Sequence, residues 1–124
     1  MIEYKENDIF GFELEYGYEV LPNGITKFFK PTNENKHILK YAARGPSFSL
    51  MSEALTESTY INHITGNPFI LTSVFYKIIF EKAIIEVIFD KSDLLSFKTN
   101  NVELSNLNYN LVKFIAKDWA KGVL

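Results

Sequence analysis

Glu13 and Glu15 stand two residues apart in the run FGFELEYGYEV, and carboxylates so spaced on an extended strand share one face about 7 Å apart. That separation falls within the range used by paired-carboxylate glycosidases. The same face also carries Gly11, Gly17 and a further acid, Glu19, and like charges repeated along a flat strand suit docking to a basic surface better than acid and base roles. Glu13, Glu15 and Glu19 are therefore read as partner-binding residues.

Other chemistries find less to work with. His37 and His63 are far apart in the chain and have no HExxH-type partner, so no local metal-ligand pattern exists. The chain has no cysteine, which excludes a thiol nucleophile, a disulfide framework and a Cys-based metal site. Neither a G-x-S-x-G elbow nor S-x-x-K is present to activate a serine, and Ser47, Ser49 and Ser52 read as caps or solvated helix positions. No glycine-rich phosphate loop of the G-x-G-x-x-G or G-x-x-x-x-G-K type occurs. The expectation is a protein with no catalytic residue, no metal and no cofactor, which makes it a binder rather than an enzyme.

Charge is unevenly spread. Residues 1–19 carry a net −5 and residues 27–44 a net +4, within an overall −2. The basic segment interleaves its lysines with Phe28, Phe29 and Tyr41, as a single-strand nucleic-acid groove does. With Arg44 the only arginine and an acidic balance overall, nucleic acid is not expected as a partner. The N-terminal MIEYKENDIF lacks the basic start and apolar run of a secretory signal. The most apolar stretch, 70–89, contains Lys77, Glu81, Lys82 and Glu86, so a membrane span is not expected and a cytoplasmic location is.

The 124 residues, 47% of them apolar and 23% charged, suit one domain with one core, and no repeat or linker divides them. Aromatic residues make up 15%, an excess that suits a contact surface but also the AT-rich codon usage implied by abundant Asn, Lys, Ile, Phe and Tyr.

The elements that must position these residues follow from periodicity. From Phe10 to Val20 every even position is apolar, the signature of a strand with two unlike faces. Pro22, Asn23 and Gly24 supply a turn, and Ile25 to Lys30 returns, giving an N-terminal β-hairpin. NENKHILKYAARG predicts a short helix capped by Asn33 or Asn35 and closed by Gly45. SFSLMSEALTESTYINHITG predicts a second helix ending at Gly66, and Asn67 and Pro68 open a third that carries Ile70, Leu71, Val74, Phe75, Ile78 and Ile79 on one side. The run Ala83 to Phe89 favours a buried strand, with continuation of the helix through 67–93 as the alternative. Asp90 to Asp93 turns the chain, Leu94 to Lys98 pairs back, and Thr99 to Asn101 turns again. Ser105 caps a last helix with the stripe Leu107, Leu111, Phe114, Ile115 and Trp119, which Gly122 ends. The expected fold is α+β: an N-terminal β-hairpin, central helices, a second β-hairpin and a C-terminal helix, packed on one antiparallel sheet.

Size, acidity and the absence of catalytic motifs suit a small inhibitor that neutralises a toxin, a nuclease among the candidates, by occluding its active site. Bacterial toxin-immunity proteins have these general properties; no motif of this chain carries the likeness. A second reading is a small-ligand binder or enzyme with a pocket between sheet and helices lined by Tyr16, Tyr18, His37, Tyr41 and His63. A third is a homodimeric structural or regulatory subunit that hides Phe114 and Trp119 between two copies.

Overall fold

The structure is a computed structural model that describes residues 2–5, 7–91 and 93–121. Its elements in order are β1 (Ile9–Val20), β2 (Thr26–Phe29), β3 (His37–Arg44), α1 (Phe48–Ser58), β4 (Thr59–Ile61), β5 (Pro68–Ile70), α2 (Thr72–Lys82), β6 (Ile84–Phe89), β7 (Phe97–Lys98) and α3 (Tyr109–Ala120). The chain is α+β, with an antiparallel sheet in the order β2-β1-β3-β6-β7 and a separate two-stranded sheet, β4-β5.

Alternation in β1 sets the layering. Tyr16 is fully buried and Phe12, Leu14 and Tyr18 pack against the core, while Glu13, Glu15 and Glu19 stay in solvent. The registers Phe12 to Tyr41 and Leu14 to Leu39, then Tyr41 to Val87 and Leu39 to Phe89, carry the buried face across the sheet. Helices α2 and α3 complete the core from that side with Phe75, Ile79, Phe80, Ile115 and Trp119. The Trp119 indole N–H donates to the Arg44 carbonyl at 2.9 Å, so the last helix is tied to the central strand through both its apolar body and its polar edge.

Both expected hairpins form. The turn after β1 is tight, with Gly24 at φ 86° and its N–H donating to the Leu21 carbonyl at 2.9 Å. β6 and β7 form the second hairpin, with Val87 opposite Phe97. Residues 67–93 are thus a helix followed by a strand, preceded by a short strand of their own.

The segment expected as a first helix is instead β3, the middle strand of the sheet. HILKYAAR contains good helix formers, but placed between β1 and β6 it satisfies its backbone on both sides and alternates buried Leu39, Tyr41 and Ala43 with outward Ile38, Lys40 and Ala42. Asn35, proposed as a helix cap, bonds β1: its amide donates to the Tyr18 carbonyl at 2.7 Å and its carbonyl oxygen accepts from the Tyr18 N–H at 3.1 Å. Gly45 is needed for close approach, since a Cβ there would run into the Tyr4 ring.

The second helix is half its expected length. It begins as expected, with the Ser47 hydroxyl accepting from the Leu50 N–H at 3.2 Å, and stops at Ser58. There the Ser58 and Thr59 hydroxyls donate to the Ala54 and Leu55 carbonyls, each at 2.6 Å, and the chain turns extended. Gly66, at φ 75°, serves a hairpin turn rather than a helix end, and Pro68 lies in β5 rather than in the first turn of α2. The cap of α3 is Asn108, whose side chain accepts from the Leu111 N–H at 3.2 Å, while Ser105 sits in a preceding 3₁₀ turn. Gly122 lies outside the described residues.

Candidate functional site

The acids chosen from the sequence all lie on the face of the sheet that no helix covers. Each has a lysine at its side. Glu13 is opposite Lys40 in the β1/β3 register with 3.7 Å between charges, Glu15 reaches Lys36 at 3.5 Å, and Glu19 is opposite Lys27 in the β1/β2 register. The acidic N-terminal segment and the basic segment after it have thus been laid side by side by antiparallel pairing. All of these groups are exposed, so each pair is worth at most a few tenths of a kcal/mol. Their effect is on the field of the face, where positive and negative rows alternate.

Between those rows are apolar side chains. Ile38 and Ile88 are exposed, and Ile88 is opposite Lys40 across the β3/β6 pair. A shallow hollow of about 320 Å³ is lined there by Gly11, Glu13, Lys40, Ala42, Glu86 and Ile88. A second hollow of about 440 Å³ extends it past Ile38 toward Asp90. The surface is therefore mixed, with small apolar centres inside a charged surround, the composition of a non-obligate protein contact rather than of a charged steering patch.

Of the residues proposed to line a pocket, three come together. Tyr16 and His37 are cross-strand neighbours with ring centroids 5.5 Å apart, and Tyr18 lies 5.1 Å from the same imidazole. Two aspartates that the sequence reading placed only in a turn complete the group. The Tyr16 hydroxyl donates to Asp90 at 3.0 Å and the Tyr18 hydroxyl to Asp93 at 2.7 Å, while Asp90 also accepts from the Ile38 N–H at 3.0 Å. Burial, then the bond to Asp90, pushes the Tyr16 phenol far above its ordinary value, and the bond to Asp93, then desolvation, raises Tyr18. At Asp90 desolvation acts upward, but bonds from the Ile38 N–H and Tyr16 hydroxyl outweigh it and hold the carboxyl below its ordinary value. Asp93 is likewise lowered, chiefly by Tyr18. Phenols held protonated against ionised carboxylates are fixed donors. The cluster clamps the β6–β7 connection to the sheet, with both phenol hydroxyls donating to its aspartates.

The remaining two pocket residues are elsewhere. Tyr41 is buried and donates to Asp118 of α3 at 2.6 Å, while His63 lies in the exposed turn between β4 and β5. Phe28, one of the aromatic residues interleaved with the basic segment, packs inward against Tyr16 and Phe89, with ring separations of 6.0 and 6.2 Å. Trp119 is 5% exposed and Phe114 packs against the core, so both are used within one chain.

The feature that sequence reasoning missed is the β4–β5 hairpin. Every residue from 59 to 73 is exposed, the longest such run among the described residues. β-Branched and aromatic residues at Thr59, Tyr60, Ile61, Phe69 and Ile70 could have signalled it, on either side of the turn residues Asn62, Gly66 and Asn67. A helical reading of the flanking segments absorbed them.

Among the described residues no group of His, Asp or Glu is arranged to hold a metal ion, and no helix is long and apolar enough to cross a membrane. Compared with protein-family models, with curated proteins and with solved structures, the chain has no significant match.

Proposed function

We propose that this protein is a binding module of the inhibitor type, which lays the open face of its sheet over a functional surface of a partner protein. The observation that carries the reading is the composition of that face, where exposed Ile38 and Ile88 sit among Glu13, Glu15, Glu19 and their neighbouring lysines. Such a surface offers apolar contact, paired charges for register, and a rigid five-stranded support. Neutralisation of a toxic enzyme by occlusion of its active site is the specific form proposed. A basic enzyme is the partner class, because the chain is acidic overall: the net charge supplies attraction and the paired charge rows set orientation.

The reading of a small-ligand pocket draws support from the Tyr16, Tyr18 and His37 group. Its phenols are already committed to Asp90 and Asp93, which favours a structural role for them.

The test is capture of the partner from the native host, followed by association kinetics and by assay of the partner's own activity. Reversal of Glu13, Glu15 and Glu19 to lysine should leave the fold intact and slow association, and the wild-type rate should fall as salt is raised. Ile88→Lys should instead speed dissociation, since it removes apolar contact at the centre. A partner that is acidic, or one that binds with full activity retained, would sink the inhibitor reading.

A further inference from the structure

The β4–β5 hairpin projects from the α1–α2 junction and shows apolar residues on both of its faces. Tyr60 and Phe69 are opposite one another on one face, with rings 6.2 Å apart, and Ile61 and Ile70 occupy the other. All of them are exposed, and Ile64 at the turn is 95% exposed. A two-stranded ribbon standing alone in water is marginal at best, and its usual remedy is to pack one face on a core. This ribbon has an apolar set left over on each side. Its base and turn are nonetheless well built: the Leu71 N–H donates to the Ser58 carbonyl at 2.9 Å, and the Asn62 side chain accepts from the Ile64 and Thr65 N–H groups at 2.9 and 3.1 Å.

Residues 58–76 contain no Asp, Glu, Lys or Arg, in a chain that is 23% charged. Depletion of charge from an exposed apolar patch is the mark of an interface core, strongest in homodimers. The whole chain supplies the second argument. It exposes 8479 Å², whereas a compact monomer of 14.3 kDa exposes about 6,800 Å². The surplus of about 1,700 Å² exceeds the 800 Å² or so that each partner contributes to a standard stable interface. The arm, exposed from Thr59 to Ser73, contributes to that surplus.

We propose that the hairpin is a self-association arm, through which two copies of this chain cover each other's ribbons about a twofold axis. A second copy fits better than an unlike partner because the ribbon carries no charge with which to select one, and it is its own apolar complement. The arm belongs to a separate two-stranded sheet and shares no residue with the open sheet face.

Sedimentation equilibrium of the full chain, from low micromolar to near millimolar concentration, should show a species of twice 14.3 kDa. Phe69→Lys and Ile61→Lys should each weaken association at least tenfold while leaving circular dichroism and melting temperature at dilute concentration unchanged. Hydrogen exchange on the wild-type protein needs no variant: amides between Thr59 and Leu71 should become slower as concentration rises. A chain that stays monomeric throughout overturns the proposal, and binding of that monomer to phosphatidylcholine vesicles would then assign the arm to a lipid surface. A dimer that survives both substitutions, or one that forms without slowing hairpin exchange, also overturns it.

Discussion

The N-terminal hairpin, β1 with β2, and the inserted hairpin, β4 with β5, are both antiparallel and both turn on a glycine of positive φ, yet they are stabilised in opposite ways. β1 has one apolar face and one charged face. The first is buried under helices and the second is solvated, each acid beside a lysine. β4 and β5 have apolar residues on both sides, neither side covered by their own chain. A hairpin needs cover on each face that carries apolar residues. The second hairpin has two such faces, and its own chain leaves both of them exposed.

The sharpest way to break the contrast is to remove large side chains from each region. Tyr16→Ala or Trp119→Ala should cost about 3 to 5 kcal/mol in urea denaturation, because each deletes a large side chain packed in the core. Ile64→Ser at the tip of the second hairpin should change dilute-solution stability by no more than about 0.5 kcal/mol. If the two losses were alike, the arm would have to be packed on the body of the protein.

The same logic applies at a finer scale to two glycines of β1. A Cβ added to Gly17 would run into the Phe29 ring and lie 2.9 Å from the Asn35 carbonyl oxygen, whereas one added to Gly11 meets nothing within 4 Å. Gly17→Ala should therefore cost about 1 to 3 kcal/mol by overpacking. Gly11→Ala, on the open face, should be neutral or slightly stabilising, by up to about 1 kcal/mol. Equal midpoints in thermal melts of the two variants would contradict the close cover of Gly17 by Phe29 on a face that is open at Gly11.

Removing only a hydroxyl should give a smaller difference. Tyr16→Phe loses the bond to Asp90 and should cost about 1 kcal/mol, while Tyr60→Phe in the arm should cost nothing measurable. A pH series adds a sign. Asp90 and Asp93 have folded values below their unfolded ones, so the stability they add is present above the unfolded carboxylate value of about 3.9 and is lost as pH falls through the folded values. Tyr16→Phe should flatten that acid limb; an unchanged slope would show that the clamp does not couple to Asp90. The least effect is expected on the charged face, where Glu13→Gln and Glu15→Gln should each alter stability by less than about 0.5 kcal/mol at physiological salt.

Legibility in the sequence followed the strength of local pattern. β1 was read almost residue for residue because the alternation of its two faces persists from Phe10 to Val20, and the stripe of α3 was read because Leu111, Ile115 and Trp119 keep helical spacing. β3 was misread because Tyr41, Ala42, Ala43 and Arg44 suit a helix locally and a strand only in company. The hairpin at 59–70 was hidden by flanking helices whose apolar spacing runs on into it. Asp90 and Asp93 were placed in their turn, but nothing local links them to phenols 74 and 75 residues away.

The sequence by itself determined the class of the fold, the two faces of the first strand, the segregation of charge into an acidic and a basic segment, and the absence of thiol chemistry. Those properties are set by residue type and short-range periodicity, which the chain carries before it folds. Only the tertiary structure decided that the acidic and basic segments lie side by side, because strand order and register join residues that local pattern treats separately. It also decided which apolar residues stay outside. Whether Tyr60, Ile61, Phe69 and Ile70 are core or surface depends on how much space the sheet and helices leave, and here the core closes without them.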